Sequence, residues 1–296
     1  MSGVEDLAAK AYIEACLAEL DAPKPGNVHR FAPGHRMEVE DFVRSAEASA
    51  APIALRGARV GARVRAAVDA TLKAVGQNTN LGIILLCAPL AAAAEAQDTA
   101  LRPALARVLD DLDQGDAADV FSAIAAANPG GLGRAAPHDV NAPPTVTLRE
   151  AMAEAAGRDR IARQYVTAYE DIFLLGLPAL AAGRRQHADA RWSTLAVYLT
   201  FLAALPDTHI ARKSDMGVAE AVRREAAGWR DAFAAARDPE EIADSLLDWD
   251  AVLKSRGINP GTSADLTVAT LFASSLSRLH DDKCASAILP LRSNDA

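Results

Sequence analysis

The sequence predicts an all-α protein, and two observations indicate this fold class. Apolar residues recur at three- and four-residue steps along most of the chain, which is the spacing of one face of an α-helix. One such face reads Val60, Val64, Val68, Leu72 and Val75. No segment shows the alternation of β-branched and aromatic residues that is typical of a half-buried strand, and alanine is abundant. We therefore expect a bundle of about ten helices.

The same periodicity places the individual helices. One helix is expected through residues 7–20 and another through residues 42–53. Later helices are predicted over roughly residues 103–113, 117–127, 148–156, 158–182, 188–204, 217–236, 239–254 and 263–279. The apolar run 81–94 contains Pro89 and is shorter than the ~20 residues of a membrane helix, so it predicts a buried helix. No linker or repeat divides the chain, which predicts a single domain over residues 1–296.

Composition excludes several classes of protein. A net charge of -8 argues against a surface that binds nucleic acid or an anionic membrane. The three cysteines, Cys16, Cys87 and Cys284, have no C-x-x-C spacing, so neither a disulfide framework nor a zinc site is indicated. The acidic N-terminus lacks the apolar core of a secretory signal. We expect a protein of the reducing cytoplasm.

Five non-helical segments hold most of the polar chemistry, and in a helical protein such loops are where binding and catalysis tend to occur. They are residues 23–36, 75–82, 128–145, 206–215 and 256–266. Their many Arg, Lys, His and Asn residues contrast with the acidic remainder of the chain. Together they predict one site for a phosphorylated ligand.

The first segment, PKPGNVHRFAPGHR, is rich in cations and in proline. Its prolines restrict the loop before binding, which lowers the entropic cost of arranging charges around a ligand. An anion or nucleotide contact is favoured over a purely structural loop. The candidate residues are Lys24, Gly26, Asn27, His29, Arg30 and His35.

Two further segments carry mixed charges. In NPGGLG, Gly130 and Gly131 allow close approach of a ligand, and Arg134 and Asp139 follow; a simple helix-terminating turn is the alternative. In DTHIARK the candidates are Asp207, His209, Arg212 and Lys213. A solvated charged loop is the alternative there.

The last two segments adjoin helices. Asn78, Thr79 and Asn80 either brace their loop or bind a base or ribose through paired hydrogen bonds. In NPGTSADL, Gly261 makes a turn and Thr262 or Ser263 is a candidate cap; a well-capped helix is one interpretation, and a phosphate bound at the helix start is the other. Asp265 in the first turn would compete with phosphate unless magnesium joins the two.

The order of KPGNVHR, NTNLGIILLCAPL, NPGGLG with HDV, DTHIARK and NPGTSADL makes the whole chain resemble the triphosphoribosyl-dephospho-CoA synthase family. Members of that family are all-α pentosyltransferases. They join the triphosphoribosyl part of ATP to the ribose 2′-hydroxyl of dephospho-CoA and release adenine. The resemblance therefore implies ATP and dephospho-CoA as substrates, with Mg²⁺ as the expected metal.

The resemblance also suggests roles. Lys24, His29, Arg30, Arg212 and Lys213 would contact the triphosphate. Asp139, Asp207 and Asp265 would bind Mg²⁺ or stabilise positive charge at the anomeric carbon, and His35 or His209 would be the general base. Asn78 and Asn80 would bind base or ribose. Further nucleotide contacts are expected from Gly26, Asn27, Thr79, Gly130, Gly131, Arg134, Gly261 and Ser263.

Two departures set the chain apart from members associated with decarboxylases. Those members have an Asp shortly after the His that corresponds to His35. Here Arg36 is followed directly by Met37, so that Asp is missing. In addition, Asn80 stands where those members usually have His. The chain is closer to a divergent subgroup found in archaea and methylotrophs. Two alternatives therefore stay open: an enzyme that transfers the group to another cofactor precursor, and a helical protein that binds a nucleotide without catalysis. A homo-oligomeric state also stays open.

Overall fold

The computed structural model describes residues 3–32, 38–96, 98–128 and 142–288. Within these ranges the chain forms fourteen α-helices and no strand, which confirms the all-α prediction with a higher helix count than expected. One isolated antiparallel bridge joins His29 and Ala32.

The helices follow one another with short connections. The first seven are α1 (Gly3–Asp21), α2 (Val39–Ala54), α3 (Val60–Val75), α4 (Leu81–Ala93), α5 (Leu101–Asp110), α6 (Gln114–Ala127) and α7 (Leu148–Ala155). The others are α8 (Arg160–Thr167), α9 (Leu177–Gln186), α10 (Ala190–Ala204), α11 (Thr208–Lys213), α12 (Met216–Ala235), α13 (Ala243–Ser255) and α14 (Gly261–Ile288). A π-helical turn, Ile172–Gly176, precedes α9, and a 3₁₀ turn, Pro239–Ile242, precedes α13.

Buried apolar side chains form two clusters. The larger one is built mainly by α1 to α9 and α14, and the smaller one mainly by α10, α12 and α13. Two helices contribute to both clusters: α10 through Phe201 and Tyr198, and α14 through Leu266 and Ala264. The start of α14 therefore lies where the two clusters meet.

Helix α4 lies in the centre of the larger cluster and is interrupted by a proline. Pro89 has no N–H, so the carbonyl of Leu85 four residues earlier loses its helical partner. The hydroxyl of Tyr165 donates to that carbonyl at 2.6 Å, and Tyr169 donates to the carbonyl of Leu86 at 3.0 Å. The Tyr165 hydroxyl thus satisfies the carbonyl that Pro89 leaves without its helical donor, and Tyr169 adds a buried hydrogen bond to the next carbonyl.

The predicted helix over residues 158–182 is wrong as a single element. Ala168 and Tyr169 adopt left-handed conformations, with φ of 47° and 57°, and the chain bends by 91° between α8 and the segment Ile172–Gln186. The bend brings Asp171 back to Arg160, which forms hydrogen bonds of 2.6 and 2.7 Å to its two oxygens. Tertiary contacts override a local preference for continuous helix.

Over the described ranges, no helix taken alone has both the length and the apolar character needed to cross a bilayer. The bent pair Arg160–Thr167 and Ile172–Gln186 reaches that length and composition when its two parts are combined.

Candidate functional site

A cavity of about 1090 Å³ opens at the meeting point of the two clusters. Its walls come from α1, α2, α4, α6, α7, α8, α11, α12 and α14 together with the loops that connect them. All five polar segments contribute described residues to it, among them Asn27, Thr79, Asn128, Arg212 and Asp265. The fold therefore brings distant parts of the sequence to one cavity.

The cavity has a cationic rim. Arg158, Arg212 and Lys213 line it, and Arg212 lies 3.4 Å from the carboxylate of Asp159. Asp159 in turn accepts hydrogen bonds from two N–H groups at the start of α8, so it holds Arg212 next to that helix. The rim can attract a polyanion. Lys213 lies on α11, which corrects the prediction of a loop over residues 206–215.

Asp265 projects from the first turns of α14 toward Gly82 of α4. A Cβ atom added at Gly82 would overlap a carboxylate oxygen of Asp265, and it would stand 2.6 Å from Asp265 Cγ and 2.8 Å from Ile161 Cδ1. Only glycine therefore leaves room for the carboxyl group here. Burial raises the pKa of Asp265 well above its usual value, and the nearby carboxylates of Asp207 and Glu19 raise it further.

Asp207 caps two helices rather than lining the cavity. One of its oxygens accepts from the N–H groups of His209 and Ile210 at 2.9 and 3.1 Å. The other accepts from the N–H and the hydroxyl of Ser263, both at 2.8 Å. Burial raises the pKa of Asp207, although these hydrogen bonds oppose the shift. The Ser263 N–H is thus engaged by a carboxylate, contrary to its predicted contact with phosphate.

His209 and Gly261 both line the cavity, close to one another. The His209 ring packs against Gly261 so tightly that an added Cβ would stand 3.1 Å from its Cε1 atom. The His209 N–H also lies 3.1 Å from the Thr262 hydroxyl, which in turn contacts Thr208. These contacts lock α11 onto the start of α14.

Lys24 has a role different from the predicted one. It is fully buried, forms an ion pair with Glu19, and donates to the Asn27 side chain at 3.1 Å and to the Val28 carbonyl at 2.7 Å. Glu19 and Asn27 line the cavity, whereas Lys24 does not. The structure therefore places Lys24 behind the wall, where it holds two residues that form the wall.

His29 and Arg30 also lie away from the cavity lining. His29 is fully buried, with its Nε2 atom 3.3 Å from Asp250, and burial lowers its pKa. Arg30 forms a half-exposed ion pair with Asp21. Gly26 is set by backbone geometry: its φ is 82° and its N–H donates to Asp250 at 2.8 Å. These residues shape the loop instead of facing the cavity.

The three polar residues before α4 divide in the same way. Asn78 and Thr79 line the cavity, and the Asn78 side chain accepts from the N–H of Leu81 at 3.2 Å. Asn80 is buried, accepting from Thr71 at 3.1 Å and donating to Ser49 at 3.2 Å. Asn80 thus braces its loop through hydrogen bonds to Thr71 and Ser49, and it is not among the residues that line the cavity.

Another part of the cavity lining is apolar. It is formed by Phe121 and Ile124 of α6, Leu148 and Met152 of α7, and Leu85 of α4. A cavity with one cationic rim and one apolar wall suits a ligand that combines phosphate groups with an apolar or aromatic part.

The predicted magnesium ligands do not assemble in the described part of the chain. Asp207 uses both oxygens in hydrogen bonds, and of the two described carboxylates, Asp207 and Asp265, only Asp265 lines the cavity. Among the residues with described side chains, no three His, Cys, Asp or Glu residues are grouped so that they could hold a metal ion. A magnesium site built from protein carboxylates does not fit these residues, and no step is assigned to one. The predicted site residues His35, Gly130, Gly131, Arg134 and Asp139 lie outside the described residues.

Sequence reasoning missed several residues of the cavity. Glu19 looks like an ordinary polar position of an amphipathic helix, and Arg158 and Asp159 stood inside a segment interpreted as one helix. Gly82 follows closely on the polar residues Asn78, Thr79 and Asn80. Its contact with Asp265, however, joins two segments that are 183 residues apart in sequence, since 265 minus 82 is 183. Local patterns do not report such contacts.

Comparisons with known proteins show the family and the fold of this chain. A family model described as ATP:dephospho-CoA triphosphoribosyl transferase matches residues 5–284. A crystal structure from Archaeoglobus fulgidus, described as a candidate triphosphoribosyl-dephospho-CoA synthase, superposes with a TM-score of 0.59 at 22% identity. The match covers 80% of this chain and 97% of that one, so the two share a fold. No curated protein matches the chain significantly.

Proposed function

Because this chain belongs to the ATP:dephospho-CoA triphosphoribosyl transferase family and is therefore a pentosyltransferase, we propose that it acts on ATP and 3′-dephospho-CoA. The triphosphoribosyl group of ATP moves to the ribose 2′-hydroxyl of the acceptor, and adenine is released. The product is 2′-(5″-triphosphoribosyl)-3′-dephospho-CoA.

The observation that carries this proposal is the single cavity with two different walls. Its volume of about 1090 Å³ exceeds the range of roughly 300–1,000 Å³ that is usual for one small ligand, which leaves room for two substrates. The cationic rim at Arg158, Arg212 and Lys213 supports binding of the triphosphate. The apolar wall supports binding of an adenine ring or of the pantetheine arm of the acceptor.

The carboxyl groups supply the remaining chemistry. Breaking a glycosidic bond passes through an oxocarbenium-like state, and the leaving base takes up a proton. Asp265 lines the cavity, and its raised pKa favours the protonated form, so it is suited to proton donation. His209 also lines the cavity and remains a candidate base.

The acceptor is the part of the proposal that the two departures from the family pattern left open. Asn80 is engaged with Ser49 and Thr71 and does not line the cavity, so its exchange for His gives no reason to change the acceptor. The other departure, at Arg36 and Met37, lies outside the described residues, and we keep dephospho-CoA as the proposed acceptor.

The test is product analysis by chromatography and mass spectrometry. The protein is incubated with ATP and Mg²⁺, alone, with dephospho-CoA, or with 4′-phosphopantetheine, which lacks the ribose hydroxyl. We expect free adenine and a triphosphoribosylated product with dephospho-CoA only. ADP or AMP as the product would contradict the proposal. Adenine release that is the same with and without dephospho-CoA would also contradict it.

A further inference from the structure

Glu19 is a buried residue of the cavity wall, and its carboxylate forms an ion pair with a buried lysine. Its side chain is 4% exposed, yet Glu19 is part of the cavity wall. Lys24, which is 0% exposed, is ion-paired with it. Burying two charges is expensive and an apolar pair of similar size is often as stable, so such a pair is weak evidence for a purely stabilising role.

Three contacts fix Lys24 in place. Besides Glu19, its ammonium group donates to Asn27 Oδ1 and to the Val28 carbonyl, so all three of its donors are used. The loop around it is anchored from the smaller cluster, because the Tyr198 hydroxyl donates to the Pro25 carbonyl at 2.7 Å. Glu19 is thus held by a rigid support, as a reacting group needs to be.

We propose that Glu19 is the general base that accepts the proton of the acceptor hydroxyl and that Lys24 is its positioning residue. The inference rests on the proposed function. The acceptor oxygen forms a bond to the anomeric carbon of the ATP ribose, and the bond from that carbon to the adenine nitrogen breaks with its electron pair on the nitrogen. Glu19 takes the hydroxyl proton, Asp265 gives one to adenine, and a proton returns to Asp265 before the next turnover.

The charge distribution is consistent with this division. Asp265 is within electrostatic reach of both Glu19 and Arg212, whereas Lys24 is the charged group that acts on Glu19. A carboxylate repels phosphate, so we expect the triphosphate at Arg158, Arg212 and Lys213 and not beside Glu19.

Several groups face Glu19 and will influence its titration. They are Lys24 of the loop that follows α1, Cys16 of α1, Tyr198 of α10 and Asp265 of α14. Burial raises the pKa of Glu19 above its ordinary value of 4.5, and Lys24 opposes the shift. A carboxylate whose pKa moves toward neutrality is a better general base.

The first test compares Glu19→Gln with Glu14→Gln. Glu14 lies on the same helix in an exposed pair with Lys10, so it is a matched control. We expect the Glu19 variant to lose a factor of about 10²–10⁴ in kcat with unchanged KM for ATP, and to lose the acidic limb of the pH profile. The control should retain wild-type turnover.

The second test separates positioning from folding. Glu19→Gln combined with Lys24→Met removes both buried charges, and we expect it to be no less active than Glu19→Gln alone, since Lys24 acts through Glu19. In Glu19→Ala, added formate should restore turnover by at least tenfold by replacing the lost carboxylate.

The outcomes distinguish the two proposals. Wild-type protein that releases no adenine with dephospho-CoA overturns both. Active wild type together with a Glu19→Gln variant that keeps its turnover and its acidic limb overturns the role of Glu19 alone. Loss of the acidic limb in His209→Gln, with that limb intact in Glu19→Gln, would identify His209 as the base instead.

Discussion

The carboxylate of Asp207 joins two helices by accepting hydrogen bonds from both the N–H and the hydroxyl of Ser263, each at 2.8 Å. Its other oxygen accepts from two N–H groups at the start of α11. One side chain thus satisfies the starts of α11 and α14, the two helices that carry His209 and Asp265 to the cavity.

Asp207→Asn should therefore destabilise the fold. An amide keeps one acceptor, so either Ser263 or the start of α11 loses its partner, at about 1–3 kcal/mol of unfolding free energy. Denaturant unfolding measures the loss. Asp215→Asn is the control: Asp215 is exposed and caps α12 through one bond to Val218, and Asn caps equally well. Equal losses in the two variants would contradict the double-cap interpretation.

Replacing Asp265 by Asn should change how stability depends on pH. Because the folded-state pKa of Asp265 is raised, the folded chain keeps a proton that the unfolded chain loses once pH exceeds about 4. The unfolding free energy of the wild type should therefore fall, relative to the variant, by up to about 1.4 kcal/mol per pH unit until the folded-state pKa is reached. Parallel stability curves would show that this pKa is not raised. We expect the variant to lose most of its turnover at every pH.

Gly82→Ala tests the contact between α4 and α14. The added methyl group overlaps the Asp265 carboxylate, so we expect about 1–3 kcal/mol of destabilisation and at least a tenfold loss of turnover. Gly228→Ala is the control, because Gly228 is exposed on α12 and has open space around its Cα. That change should stabilise the protein by about 0.5–1 kcal/mol. Normal activity of the Gly82→Ala variant would show that turnover does not depend on the position of the Asp265 carboxylate.

Arg212→Gln tests the cationic rim. The loss of one charge-assisted contact to phosphate, about 1.5–3 kcal/mol, should weaken ATP binding by roughly tenfold to a hundredfold. Calorimetric titration with ATP measures this change. Arg256→Gln removes the same charge from a surface pair with Glu225 outside the cavity lining and should leave affinity within twofold. Equal effects of the two variants would indicate only a general electrostatic attraction.

Tyr165→Phe tests the proline in α4. Removing the hydroxyl leaves the buried Leu85 carbonyl without its donor, at about 1–3 kcal/mol. In a Pro89→Ala background the helix regains an N–H for that carbonyl, so the same change should have a smaller effect there. Thermal and denaturant unfolding of the four proteins gives the coupling energy. If the effects of the two substitutions on the unfolding free energy are additive, the Tyr165 hydroxyl does not compensate for Pro89.

The helical fold was predictable because the information is local. The apolar spacing from Val60 to Val75 appears as α3, and the run after Asn80 appears as the buried helix α4. The break at Ala168 and Tyr169 was not predictable from propensity. It has neither Gly nor Pro and depends on contacts of Asp171 and Tyr169 with other parts of the fold.

The candidate site was predictable only in part. Arg212, Lys213, Asn78 and Asp265 stood out as polar residues near helix ends, and all four line the cavity. Lys24 was assigned to phosphate because a cation between prolines looks exposed in a sequence. Its burial depends on Glu19, which lies one turn before the end of α1 and carries no local signal of its own.

The pair formed by Lys24 and Glu19 also constrains how relatives of this protein can diverge. Loss of either partner alone leaves a charge stranded in the protein interior, at about 3–5 kcal/mol, a large fraction of the total stability of a typical domain. Sequences that abandon the pair must therefore change both positions nearly together. Across a set of homologues, positions 19 and 24 should vary jointly or not at all, and a chain that keeps one without the other should have acquired a new partner for it.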